Sequence, residues 1–368
     1  MPQSSLLNTL PKMCLIQKVV SPIFLRNTNI IIINRNQSTN TTKKKTASSV
    51  FRTMNIFDRT AKKLQRERSA QREDYYSAEY IKEEIGWRTA DRVFDIKRTF
   101  KDAVELGAGR GYVSRHFLPD SVERVTLCDT SQTHLDKAIV GDGVQVEKIV
   151  MDEENIDFPP NSKDLIVSSL SLHWVNDLPG CLDRIMNCLK PDGVLMACVF
   201  GGDTLMELRQ ALQLAENERL GGVWPHISPF TRVRDIGGLL NAAGFTLQTV
   251  DVDSLCLWYP SAWHVMSDLR ALGESNAAHN RPLRLNRDVQ FAAAAIYDEM
   301  YGKDFPKHES RGVPATYQII NFLGWKPDPS QPKPMERGTG DLSLKDLHRI
   351  DEVIKDTKKI ELTDEDKK

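Results

Sequence analysis

The chain predicts an α/β fold: a seven-stranded, mostly parallel sheet with helices on both faces. Three observations carry this. A short apolar strand, residues 103–106, runs into the glycine-dense turn Gly107-Ala108-Gly109-Arg110-Gly111 and then into a helix. Apolar runs at 124–128, 144–150, 164–169 and 194–200 follow, with helix-length segments between most of them. Acids stand where the first two of those runs end or just beyond, the place at which an open parallel sheet meets its ligand.

The glycine turn comes first because it defines a ligand. With so little Cβ bulk, a ligand can lie against the backbone, and the helix that follows offers unpaired N–H groups. The spacing is G-x-G-x-G; a dinucleotide fingerprint needs a third glycine at 112, where the chain has Tyr112. Glu105, two residues before Gly107, would repel a pyrophosphate but suits a ligand with an ammonium group, such as S-adenosylmethionine. Asp129 ends the second strand at the distance from which an acid reaches ribose hydroxyls, and Asp152, Glu153 and Glu154 follow the third, within reach of an adenine amine. The fifth strand is entered through the turn Lys190-Pro191-Asp192-Gly193. A sixth is expected at 245–257 and a last at 315–325.

This succession, over roughly residues 90–260, resembles the class I S-adenosylmethionine-dependent methyltransferase family, with its Rossmann-like fold. The resemblance implies that Gly107, Gly109 and Gly111 approach the methionine moiety with Glu105 near its amine. It also implies Asp129 on the ribose and Asp152 or Glu153 near the adenine.

Around this domain the chain carries additions. Residues 1–53 form a leader without a single acid, basic and rich in Ser, Thr and Asn, the composition of a mitochondrial transit peptide. Its apolar runs are too short for a membrane span of about 20 residues. Residues 54–96 read as a helical lid, with Phe57, Ala61 and Leu64 on one face and Arg59, Lys62, Lys63, Arg66 and Arg68 on others. That basic face reads as solvated, or as a lid over the cofactor or a docking surface. Tyr75, Tyr76, Tyr80 and Ile81 are candidates for the lid's apolar side. The methyltransferase-like domain spans 97–326, with a helical insertion, about 261–312, before the last strand; it contains the run Gly273-Glu274-Ser275-Asn276 and is expected to close over the substrate side and set specificity. Residues 327–368 open proline-rich and end in mixed charges, as a flexible tail does. A formal net charge of -1 argues against nucleic acid as a partner. The six cysteines show no C-x-x-C pair, so neither a zinc site nor a disulfide framework is expected.

The chemistry is expected beside the fourth strand, in the run 168–179, Ser-Ser-Leu-Ser-Leu-His-Trp-Val-Asn-Asp-Leu-Pro. It contains no D/N-P-P-Y quartet for amide or base nitrogens, and the chain has no Pro-Cys dipeptide for pyrimidine carbons and no paired-glutamate hairpin for arginine N-methylation. His173 remains as a catalytic candidate, or a structural hydrogen-bonder, and Trp174 as a pocket wall. Asp203, near the start of the helix expected at 205–219, is a further candidate; it or Thr204 could equally cap that helix. His226, the third catalytic candidate, lies in a glycine- and proline-punctuated loop that reads as a substrate gate.

The runs 55–59, 168–179, 200–205, 226–230 and 313–318 together resemble a family of mitochondrial complex I assembly factors, over 54 to about 326. That family has the methyltransferase fold and is described as an arginine hydroxylase at the matrix face of the inner membrane. The resemblance implies peripheral membrane association, an iron–sulfur subunit of complex I as protein substrate, and a small stabilising assembly partner. Hydroxylation needs activated oxygen, and its source is not visible in these residues. His134-Leu135-Asp136 has the letters of an iron-binding H-x-D, but positions two apart on a helix do not share a face, so no metal site is expected. Glu105, Asp129, Asp177 and Asp203 are the acids available to pair with a substrate guanidinium. Two other readings stay open. One is methyl transfer to a protein or carboxylate, since the fourth- and fifth-strand segments also resemble a malonyl-thioester O-methyltransferase. The other is a non-catalytic assembly chaperone.

Overall fold

The computed structural model describes residues 55–305 and 310–333. The leader at 1–53 and the tail from 334 onward lie outside the described residues. The chain divides into two units, Met1–Asp328 and Pro329–Lys368; of the second, the described residues 329–333 form a turn and irregular chain.

The sheet of the first unit has the order β3-β2-β1-β4-β5-β8-β6. Its strands are β1 Ala103–Leu106, β2 Arg124–Asp129, β3 Gln145–Val150, β4 Lys163–Ser169, β5 Leu189–Phe200, β6 Thr246–Tyr259 and β8 Ser310–Trp325. The first five pair in parallel, and β8 runs antiparallel between β5 and β6. An additional short strand, β7 Lys303–Phe305, pairs with β8 off this path. The expected seven strands are therefore present, with one more at the insertion.

Both faces of the central strands are covered, so they are apolar throughout rather than alternating. Within them the side chains still alternate. Leu165 and Val167 of β4 enter one core with Phe100, Phe117 and Leu127, while Ile166 enters another with Leu106, Ile185 and Leu195. Each such fully buried aliphatic side chain contributes about 1.5–3 kcal/mol. A third core joins β5 and β8 to the helices α2 Tyr80–Phe94, α5 Met206–Leu220 and α8 Arg287–Tyr301, through Ile81, Ile85, Phe200, Leu208, Tyr297 and Tyr317. Cys128, Cys181, Cys188 and Cys198 are free and buried.

Four expectations are corrected. The helix expected across 55–96 is broken: α1, Arg59–Gln71, ends where Arg72 turns extended at ψ 137°, and the 3-10 turn Glu73–Ser77 leads to α2. The turn at 190–193 does not precede β5 but lies within it, because Lys163 pairs with Leu189 and Leu165 already with Val194; Asp192 takes φ 59° there. Neither Asp203 nor Thr204 caps α5. Leu205, at φ 55°, precedes that helix, and both polar residues bind Gln318 of β8. The last strand begins at Ser310, inside the expected insertion, which otherwise consists of α7 Ala262–Ala271, α8 and β7. The remaining helices are α3 Gln132–Asp136, α4 Leu178–Cys188 and α6 Val233–Ala243.

Candidate cofactor and substrate site

The glycine turn leaves β1 with Gly107, Gly109 and Gly111 at φ 66°, 57° and 75°, backbone that a side chain strains. A Cβ at Gly107 would also run into Ser171 Oγ and crowd Glu153, so the turn approaches its neighbours too closely for any other residue. Asp129, fully buried at the end of β2, accepts from Gly109 N at 2.8 Å and from Ser131 N at 2.8 Å. It ties the cradle to the adjacent strand.

Glu105 does not face the cradle, contrary to the expectation of an ammonium partner. Its two carboxylate oxygens accept from Val113 N at 3.1 Å and Ser114 N at 3.0 Å. The turn beyond Gly111 leaves backbone donors unpaired, and a buried acid on β1, the strand that enters the turn, satisfies them. Burial pushes its carboxyl up to about 7 against these bonds.

The larger correction concerns α1. Its basic side chains divide: Lys63 and Arg68 are exposed, as a solvated face requires, but Lys62 and Arg66 are buried, whereas Leu64 is exposed. Positions 59, 62 and 66 share one side of the helix. Arg66 lies on the cofactor acids, with Nη2 2.5 Å from Asp129 Oδ2 and Nη1 3.0 Å from Glu153 Oε1. It also donates to Ser171 Oγ and Gly107 O. Arg59 Nη2 stands 2.6 Å from Asp152 Oδ1 and 2.7 Å from Glu153 Oε2, while its Nη1 donates to Trp174 O. Burial opposes ionisation of Glu153, but Arg66 and Arg59 outweigh it and take its carboxyl down to about 2. Burial dominates at Asp129 and lifts its carboxyl above the ordinary value despite Arg66.

The segment after β4 holds this strap in place. Asn176 Oδ1 accepts from Ile56 N and Phe57 N, and its Nδ2 donates to Phe57 O. Phe57 meets Trp174 edge-on, with centroids 5.3 Å apart. The expected pocket wall, Trp174, is buried, and its Nε1 donates to Glu274 Oε2 at 2.8 Å. His173 is buried beside it, packed on Phe200 and on Phe230 of the 226–230 loop. Burial lowers the imidazole's pKa, so the ring is neutral at pH 7. Glu274 belongs to the insertion, and its pairing with Trp174, 100 residues away, has no local sequence signal. It is buried and pairs with Lys62 and Lys82; burial works against its ionisation, yet these cations hold it well below the usual carboxylate range.

The other candidates separate from this cluster. Asp177 caps α4 by accepting from Gly180 N, and its other oxygen lies 3.5 Å from Arg184, so its carboxylate serves the start of that helix. Asp203 is bound by Gln318. His226 Nε2 sits 2.6 Å from Glu216 Oε1 and Trp224 N donates to the other oxygen, which fixes the loop to α5. Asn276 of the insertion donates to Pro225 O and accepts from Ser228, so loop and insertion are joined. His134 is buried and Asp136 exposed on α3. Among the described residues, no group of three or more His, Cys, Asp or Glu is placed to hold a metal ion.

The donor set fits S-adenosylmethionine. Asp129 and Glu153 are acceptors at or just beyond the ends of neighbouring strands beside the glycine turn, as ribose and adenine require. Arg66 and Arg59 satisfy those acceptors, so a cofactor using the same oxygens would have to displace the α1 guanidiniums.

Residues 76–250 match the family model described as "Methyltransferase domain". Arginine-hydroxylase NDUFAF5, mitochondrial, of Rattus norvegicus is 48% identical over 84% of this chain and 88% of its own length. The Homo sapiens protein of the same name is 46% identical over 84% and 88%. Malonyl-[acyl-carrier protein] O-methyltransferase of Gallionella capsiferriformans is 28% identical over 75% of this chain and 94% of its own. With nearly half its residues shared along most of both lengths, this methyltransferase-fold chain belongs to the mitochondrial arginine-hydroxylase NDUFAF5 family.

Proposed function

We propose that this chain hydroxylates an arginine side chain of an iron–sulfur subunit of mitochondrial complex I during its assembly. The observation that carries the reading is the extended identity to relatives named arginine-hydroxylase. The site supports it, because its acids and aromatic rings already accommodate cationic side chains from the chain's own α1. S-adenosylmethionine, an electrophilic sulfonium when bound, would be held by Gly107, Gly109, Gly111, Asp129, Asp152 and Glu153. His173 and Trp174 are buried in the 3-10 turn that follows β4, and on this reading they would line the substrate side. The relatives are named mitochondrial. Action at the matrix face of the inner membrane, by peripheral association and with a small stabilising partner, belongs to this proposal; no helix among the described residues is long and apolar enough to cross a membrane. Mass spectrometry of the subunit from cells lacking this protein tests it. The arginine is expected to lose its added oxygen, and an arginine still oxidised would rule the reading out.

A second reading, methyl transfer, is favoured by the family model and by the likeness to a carboxylate O-methyltransferase. The same spectrum separates the two, since the modified residue gains a methylene rather than an oxygen.

A further inference from the structure

Lys62 places a cation where burial resists one. Its Nζ lies 3.3 Å from the centroid of the Trp174 ring, 3.3 Å from Glu274 Oε2 and 2.7 Å from Gly273 O. Burial, only partly offset by Glu274, takes its ammonium down to about 7. An ion pair made at that cost is weak evidence of a stabilising role.

The pocket offers more than a lysine uses. Glu274 divides its oxygens: Oε1 is held by Lys82 of α2 at 2.9 Å, while Oε2 faces Lys62, Trp174 Nε1 and, at 3.7 Å, His173 Nε2. Both ring nitrogens of His173 are buried without a hydrogen-bond partner. Such orphaned groups are costly, and the ammonium of Lys62 leaves them so. A guanidinium has five N–H donors in one plane, spans two neighbouring acceptors, and stacks on an indole face. Glu274 Oε2 and His173 Nε2 beside the Trp174 ring present that combination.

We propose that Glu274, His173 and Trp174 form the subsite for the substrate's arginine side chain, and that Lys62 is its intramolecular stand-in. This rests on the reading of the chain as a protein-arginine hydroxylase. Withdrawal of Lys62 with α1 is structurally open, because no α1 side chain enters the three large apolar cores. When Lys62 leaves, Lys82 keeps Oε1 neutralised and Oε2 becomes available to the guanidinium.

The test uses the full chain, with Nα-acetyl-arginine amide as probe and its citrulline analogue as the uncharged isostere, followed by titration calorimetry. Lys62→Met keeps an apolar stem on Trp174 and removes the competing charge. It is expected to bind the arginine amide at least about 10-fold more tightly than wild type. The citrulline amide gains nothing, and adding Glu274→Gln abolishes the gain. Equal affinity of the two proteins for the arginine amide, or an equal gain for the citrulline amide, overturns the subsite. Should Lys62→Met fail to fold, Lys62→Arg installs a better stand-in; it is expected to weaken arginine-amide binding several-fold, and binding equal to wild type overturns the proposal. Oxygen addition to the subunit is scored in parallel by mass spectrometry. Unchanged affinities with an oxidised arginine sink the subsite alone, whereas tighter binding without oxygen addition sinks the hydroxylase reading.

Discussion

Glu153 is the carboxylate on which the cradle and the strap converge, receiving Arg59, Arg66 and Ser171. Its folded pKa of about 2 lies below its ordinary 4.5, so the folded chain binds fewer protons than the unfolded one between those values. The stability it supplies is therefore complete above about pH 4.5 and disappears as pH falls toward 2, on the order of 3 kcal/mol. Urea unfolding at stepped pH should show Glu153→Gln with a flatter profile than wild type across that window; parallel profiles would contradict the ion pairs. Glu105 has the opposite sign. Its pKa of about 7 exceeds 4.5, so the folded chain holds the extra proton and stability declines as pH rises between the two. Because Glu105 serves the backbone of Val113 and Ser114, Glu105→Gln should leave the Kd for S-adenosylmethionine within a few-fold; a loss of a hundredfold or more would restore it as an amine ligand. The glycines, Asp129 and Glu153 were legible because their chemistry is local to strand ends. The pairing of Glu274 with Trp174 was not, since the two meet across 100 residues and no local pattern marks it.

At the scale of elements, α1 is the segment whose periodicity misleads. Apolar residues ordinarily mark the inward face of a helix, and here Leu64 points out while Lys62 and Arg66 point in. The reversal follows from what α1 covers, a row of buried acids rather than an apolar surface. Polar anchorage of this kind exchanges readily when a ligand takes the same acceptors. Saturating S-adenosylmethionine should therefore raise amide hydrogen exchange in residues 59–71, and unchanged or stronger protection there would mean that cofactor and α1 bind together. α4 offers a contrast, since its first turn was read as substrate contact and is a capped helix start. Asp177→Ala should cost about 1 kcal/mol of stability and leave the KM for the protein substrate unchanged. A several-fold rise in KM without a stability loss would reinstate the contact.

For the molecule as a whole, the succession of strands was readable from the apolar runs, and a lid and a gate from their own segments, while the way these join into one closure over the sheet's C-terminal edge was not. That closure joins three distant pieces: α1, the 226–230 loop and the insertion around Glu274 and Asn276. Only tertiary pairing brings them together, so their relation is invisible to any window of sequence. Yet the pieces differ in what they support. The loop and the insertion contribute Phe230, Leu272 and Tyr297 to the apolar core, whereas α1 contributes ion pairs and Phe57 caps a small separate cluster with Trp174 and Ala277. A chain beginning at residue 73 should accordingly still unfold in one cooperative transition. Its melting temperature should fall by about 2–4 °C for each kcal/mol of α1 docking removed. Asp129, Glu153 and Glu274 would then face solvent rather than remain buried and unpaired, which spares the large penalty of an isolated buried charge. The same truncation removes Arg59 and Arg66 from the acids and should tighten S-adenosylmethionine binding. Differential scanning calorimetry with and without the cofactor measures both effects on one sample, and a truncated chain that melts without cooperativity would show α1 to be part of the fold rather than a strap across it.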